Sequence, residues 1–232
     1  LARIVKEHSV RKNEILDEAQ RLIYTKGYEQ MTIQDILDAL QISKGAFYYY
    51  FDSKQALLEA SIERMVEAIT KVIEPIVEDE NLTSIEKFNI FIATTANWKT
   101  ERKDYLLPIM RVWYADENAI VRQKLQARGY ALIAPILSGI ILEGVQEGVM
   151  HTTYPDQVGE VVYSLMYSVG EKIAGIILCS KPEDDDWPYL KKITAVYTDA
   201  IEKTIGISSG MLHIYDIETL KEWVVPVAAT QA

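Results

Sequence analysis
Apolar residues recur at three- and four-residue intervals along almost all of this 232-residue chain, while strand-like alternation and hairpin turn dipeptides are scarce. Such spacing lines one side of a helix with hydrophobic groups, and each helix must bury that side against another. The expected fold is therefore all-α. Apolar residues make up 49% of the chain, enough for a substantial core at this length.

Start and stop signals divide the pattern. The first helix runs from about Val10 to Lys26, with Ile15, Leu16, Ala19, Leu22 and Ile23 in one stripe and Gly27 as its cap. Thr32 opens a short second helix with Ile33, Ile36, Leu37 and Leu40 facing inward, and Ser43 caps a third from Lys44. The fourth begins near Asp52 or Ser53, where Asp52 and Gln55 have capping-box spacing, and reaches Val77. Thr83 and Glu86 repeat that spacing before a fifth helix to Lys99. Further helices are expected over Tyr105–Ala115, over Asn118–Glu147 with a kink at Pro135, from Tyr154 to Cys179, and from Asp186 to just before Gly206. Asp216 to Val224 read as a last amphipathic turn or two, followed by a frayed end. Glu143 and Glu147 read as alternating surface charge.

The formal net charge of -10 is unevenly spread: residues 1–55 hold eight Lys/Arg and eight Asp/Glu, the remainder 16 and 26. An acidic body repels phosphate backbones, so nucleic-acid binding is confined to the neutral N-terminal part. One cysteine, Cys179, provides neither a disulfide framework nor a thiolate cluster for zinc, which suits a reducing cytoplasm. The longest apolar run, Ala131 to Leu142, is interrupted by Pro135 and falls short of the roughly 20 residues of a bilayer span, so no membrane partner is expected. No signal-peptide pattern opens the sequence, which does not begin with Met. His8, His151 and His213 are far apart and read as solvated or loop residues, and no phosphate loop, G-x-S-x-G or Cys/His pairing occurs. Catalytic residues, metal and cofactor are all expected to be absent.

The run "ISKGAFYYYFDSKQALL", Ile42 to Leu58, sets five aromatics beside two lysines and a glycine. On a helical wheel Phe47, Tyr50 and Phe51 share one side and close a small core with the first two helices. Gly45, Tyr48 and Tyr49 share the other, with Lys44 at its edge. Gly45 lets another surface approach, tyrosine hydroxyls donate to phosphate oxygens, Ser43 lies at the helix start, and Lys54 reaches in from the side. Two short helices joined by a tight turn, the second carrying these groups, make a helix-turn-helix.

The stretch "MTIQDILDALQISKGAFYYYFDSKQALL" resembles the DNA-binding signature of TetR-family transcriptional regulators at Thr32-Ile33, Asp35-Ile36, Ile42-Ser43, Gly45, Phe47-Tyr48, Tyr50-Phe51, Lys54 and Leu57, within a match over about residues 10–58. The resemblance implies base or phosphate contact from Thr32, Ser43, Lys44, Gly45, Tyr48, Tyr49, Tyr50 and Lys54, with Tyr50 reaching DNA through its hydroxyl. Arg3, Lys6, Arg11 and Lys12 form either a minor-groove arm or a solvated basic start. The implied organisation is a helix-turn-helix DNA-binding domain over residues 1–54 and a helical effector-binding and dimerisation domain over 55–232.

Implied partners are a near-palindromic double-stranded DNA operator, a mostly apolar small-molecule effector, and a second copy paired through the helices around 156–179 and 187–205. Gly159, Ser164, Ser168 and Gly175 permit close helix approach, between copies or within one chain. Candidate effector-lining residues are Phe91, Asn97, Trp98, Met110, Arg111, Trp113, Tyr114, Tyr163, Met166 and Tyr167. The implied function is repression relieved by the effector; an activator of the same fold and a helical protein-interaction adaptor are the alternatives.

Overall fold
A computed structural model describes residues 8–114, 119–179 and 186–223. Among them the chain forms ten helices and no strand: α1 (His8–Lys26), α2 (Ile33–Leu40), α3 (Lys44–Tyr48), α4 (Lys54–Val77), α5 (Ser84–Thr100), α6 (Lys103–Trp113), α7 (Ala119–Gln146), α8 (Val158–Cys179), α9 (Trp187–Ile205) and α10 (Ile217–Trp223). The expected arm residues Arg3 and Lys6, the helix ends at Ala115, Asn118 and Val224, the frayed tail and residues 181–185 of the loop before α9 lie outside the described residues. The chain falls into two compact units, residues 1–68 with 104–125, and residues 69–103 with 126–232.

In the first unit α1 packs on α2 and α2 on α3. The α1 stripe Ile15, Leu16, Ala19, Leu22 and Ile23 is buried, together with Met31, Ile36, Leu37, Phe47 and Phe51 and with Leu57, Leu58 and Ile62 of α4. Ile33 and Leu40 are half-buried. Each large apolar side chain buried this way contributes roughly 1.5–3 kcal/mol. Arg64 ties α4 to α1, donating to Asp17 at 2.6 Å and Gln20 at 3.0 Å. The α4 start differs in detail from expectation: the Ser53 hydroxyl, rather than an Asp52–Gln55 box, accepts from the Ala56 amide at 3.0 Å.

The second unit is organised around Phe88, Phe91, Leu137, Ile140, Ile141, Val162, Ile201 and Ile205. Glu143 and Glu147 are not merely surface charges. The buried Lys87 ammonium meets the Glu143 carboxylate at 2.7 Å, and Glu147 accepts from the Ser84 amide and, at 2.6 Å, from the Ser84 hydroxyl. The end of α7 thus satisfies the start of α5, where helix amides lack partners. α8 begins at Val158 rather than near Tyr154; the Tyr154 carbonyl accepts from the Gln157 and Val158 amides in the turn that leads into it.

The segment after Ile207, unreadable beyond its last amphipathic turns, is sewn to the body. Buried Glu202 accepts from the Gly210 and Leu212 amides, Asn89 bonds the Met211 carbonyl and the His213 amide, and the Trp223 indole donates to Thr100 at 3.0 Å. Three of the four small α8 residues are used inside the chain. A Cβ on Gly159 would collide with the Ala134 carbonyl, Ser164 bonds Tyr130, and Ser168 bonds Tyr197. Open space surrounds Gly175.

Two segments, Gln126–Gln146 and Val158–Cys179, are long and apolar enough by mean hydropathy to cross a bilayer. Pro135 and Glu143 interrupt the apolar run in the first of these without lowering its average far. In this fold Leu137, Ile140, Ile141 and Val162 are fully buried in protein core.

Gly206 caps α9 in the left-handed region at φ +69°, and a Cβ there would meet the His151 carbonyl. Gly206→Ala is expected to cost about 2 kcal/mol or more and to lower the thermal midpoint by several degrees; an unchanged melting curve contradicts this packing.

Candidate nucleic-acid interface
The outward face of the first unit is set by two caps and one unusual turn. Thr32 and Asp35 form a reciprocal capping box at α2, each bonding the other's backbone amide. The Lys26 ammonium at 2.7 Å, helped by the Thr32 amide and hydroxyl, holds the Asp35 carboxyl down at about 2. α2 ends at Gln41, a non-glycine residue in the left-handed region at φ 52°. That single residue turns the chain sharply, and the Ile42 amide closes onto the Leu37 carbonyl at 3.0 Å. Ser43 then caps α3, its hydroxyl accepting from the Ala46 amide at 3.2 Å.

α3 is shorter than the wheel from Lys44 to Phe51 assumed, because the Tyr50 amide bonds the Phe47 carbonyl at 2.9 Å and tightens the last turn. The two faces survive. Phe47 is fully buried, Phe51 nearly so, and Tyr50 half-buried; Ser43, Lys44, Gly45, Tyr48 and Tyr49 are exposed, Tyr49 at 72%. No atom lies within 4 Å of where a Gly45 Cβ would stand. The Lys44 ammonium sits 5.9 Å from the Tyr48 ring centroid. Thr32 is also exposed, with its hydroxyl engaged by Asp35 at 2.9 Å.

Lys54 is more constrained than its sequence role suggested. Its ammonium lies 4.2 Å from the Tyr28 ring centroid and donates to the Glu29 carbonyl at 3.2 Å. Burial pulls it below the usual lysine value. It therefore fastens the start of α4 to the turn between α1 and α2, with one of its three hydrogens given to the Glu29 carbonyl and its charge set against the Tyr28 ring. Of the basic start, Arg11 pairs with Glu14 at 2.9 Å and Lys12 lies over the Phe51 ring at 6.0 Å. His8, expected to be solvated or in a loop, is exposed and begins α1, with its ring against Tyr49 and Tyr50. No spacing in the sequence announces that contact, since the rings are about forty residues apart.

The expected effector-lining residues divide between the units. Met110, Arg111, Trp113 and Tyr114 belong to the first, and Phe91, Asn97, Trp98, Tyr163, Met166 and Tyr167 to the second. Phe91 is buried in the core, Asn97 and Arg111 are exposed, and the rest are half-buried. Tyr163 stands between Tyr130 and Tyr167, at ring separations of 4.7 and 6.3 Å. Burial, with Tyr130 beside it, pushes its phenol up to about 12. A cleft of about 400 Å³ in the second unit is lined instead by Tyr130, Ala134, Ser138, Asp156, Gln157 and Glu160. A cleft of about 420 Å³ in the first unit is lined by Asp17, Gln20, Arg21, Tyr24 and Tyr105. Among the described residues no three of His, Cys, Asp and Glu converge as metal ligands.

With this geometry in view, residues 15–61 match the model of bacterial regulatory proteins of the tetR family. The biofilm operon icaADBC negative transcriptional regulator IcaR of Staphylococcus aureus is 36% identical over 62 residues, 27% of this chain and 33% of that protein. The chain thus aligns with only 28 to 33% of the length of the curated relatives it matches. Similar folds extend further. A TetR transcription regulator from Haloarcula marismortui superposes with a TM-score of 0.61 at 20% identity, covering 85% of this chain and 97% of that one. Thermus thermophilus FadR, a TetR-family repressor in complex with lauroyl-CoA, superposes with a TM-score of 0.57 at 18% identity, covering 81% and 93%.

Two substitutions separate shape from stability. Gly45→Ala is expected to leave the thermal midpoint unchanged or raise it, since Ala favours a helix by up to about 1 kcal/mol. The same change is expected to weaken duplex binding by about tenfold or more, because the added methyl occupies the open edge. Lys54→Ala, by contrast, is expected to lower both stability and affinity; gel-shift titrations alongside melting curves test the contrast, which fails if both variants bind as the parent does.

Proposed function
We propose that the chain, whose residues 15–61 match the model of the tetR family of bacterial regulatory proteins, is a ligand-responsive transcriptional repressor acting as a two-fold dimer on near-palindromic DNA. One observation carries the reading: the uncovered edge at Gly45, flanked by Lys44, Tyr48 and Tyr49, on a helix-turn-helix whose aromatic underside is buried. A surface lacking a side chain between phosphate donors fits a helix lying in a major groove. Thr32, Ser43 and Tyr50 complete the contact set, with Lys54 serving mainly as an anchor.

Dimerisation is assigned to α8 and α9. Val158–Cys179 has a mean hydropathy of 1.4 in its most apolar stretch, of which 22% is buried within one chain. Val161 on α8 and Val196 on α9 are 50% and 52% exposed, and Gly175 faces open space. A second copy is the cover these groups require.

The effector is assigned to the second unit, to the aromatic and methionine side chains around Tyr163, Met166 and Tyr167. The complex of Thermus FadR with lauroyl-CoA supports a ligand that carries a long apolar chain. α4 transmits its arrival. That helix starts at Lys54 beside the recognition segment, and its Ile73 is fully buried in the core of the second unit. A ligand that favours a tilted α4 alters the separation of the two reading heads, which must match about 34–36 Å along the duplex, and the operator is released.

Selection of duplexes from a random pool by the full chain tests the reading. Enrichment of a near-palindrome is expected, bound by two chains, with affinity falling steeply as salt rises. No enrichment at low salt, or one chain per duplex by sedimentation, contradicts it.

A further inference from the structure
We propose that His8 is part of the DNA-reading surface, a charge-switchable contact that makes operator affinity depend on pH. This rests on the regulator reading above. The His8 ring lies 5.6 Å from the Tyr49 ring, edge on at 73°, and 4.8 Å from the Tyr50 ring. Tyr49 and Tyr50 are themselves perpendicular at 5.0 Å. The three rings form one aromatic slab that carries the face of α3 across to the first residue of α1. His8 is exposed, and Tyr49 is among the most exposed aromatic side chains described. An imidazole braced on two phenols at the rim of a surface built for phosphate is held where duplex backbone passes.

Imidazole is the side chain that ordinarily changes charge between pH 5 and 8. Charged, it donates from both nitrogens and attracts a phosphate; neutral, it donates from one and adds no charge. The groups facing it from the segment after α3 are the Tyr49 and Tyr50 phenols, with Asp52 on the same segment. On its own helix the nearest charges are Arg11, paired with Glu14, and Lys12, over Phe51. His151 and His213 belong to the second unit.

The probe is the duplex enriched by the parent chain at pH 8. Binding is expected to be about tenfold tighter at pH 6 than at pH 8, with the salt dependence steeper by about one phosphate contact at the lower pH. His8→Phe keeps an aromatic brace but has no hydrogen-bond donor and takes no charge; it is expected to bind no more tightly than the parent at pH 8 and to show no tightening at pH 6. His8→Lys is expected to hold the tighter affinity at both pH values. A parent indifferent to pH across this range, or a His8→Phe variant retaining the parent's full pH profile, overturns the proposal while leaving the regulator reading intact. Failure of the parent to bind any duplex at either pH overturns both.

Discussion
Burial of the Phe47 ring is the contact on which the rest depends. α3 has five helical residues, far too few to hold its own conformation in water, where nucleation is costly and short helices are marginal. What fixes it is tertiary: Phe47 at full burial with Phe51 beside it, on a helix that packs against α2. Because those two rings lock the underside, the opposite face can be left bare at Gly45 without the segment unravelling. The Gln41 turn and the Ser43 cap orient that face, and Lys54 pins the following helix to the turn at Tyr28 and Glu29.

Charge is distributed to match this division. The N-terminal 55 residues balance eight cations with eight anions, while the body carries the whole negative excess. Several head anions are engaged locally: Asp35 by Lys26 and Thr32, Glu14 by Arg11, Asp17 by Arg64. On the proposed function this distribution would steer a duplex toward one small face, since an acidic surface raises the cost of misdocked encounters. Affinity on so small a face would be modest for one chain, so the proposed pairing through the exposed apolar side of α8 fits the same scheme.

Much of this was legible because its chemistry is local. The α1 stripe, the helix start at Thr32, the Thr83 box, the Ser43 cap and the stop at the glycine after α9 are each specified within a turn or two of chain, and the structure has them in those roles. The two-sided use of the aromatic run followed from helical period alone. What escaped depends on residues distant in sequence. Glu143 and Glu147 serve an α5 start about sixty residues away, His8 meets Tyr49 and Tyr50 across two intervening helices, and Trp223 reaches Thr100. Gln41 escaped for another reason: glycine or asparagine marks a left-handed cap, and glutamine carries no such signal.

Amide chemical-shift mapping of the full chain titrated with its enriched duplex tests the central claim most directly. The largest changes are expected in a contiguous patch from Ser43 to Tyr49, with Thr32 at its border and the amides of α9 little affected. Silent signals at Gly45 and Tyr48 while the duplex is demonstrably bound would contradict it, because the uncovered edge would then have no part in holding DNA.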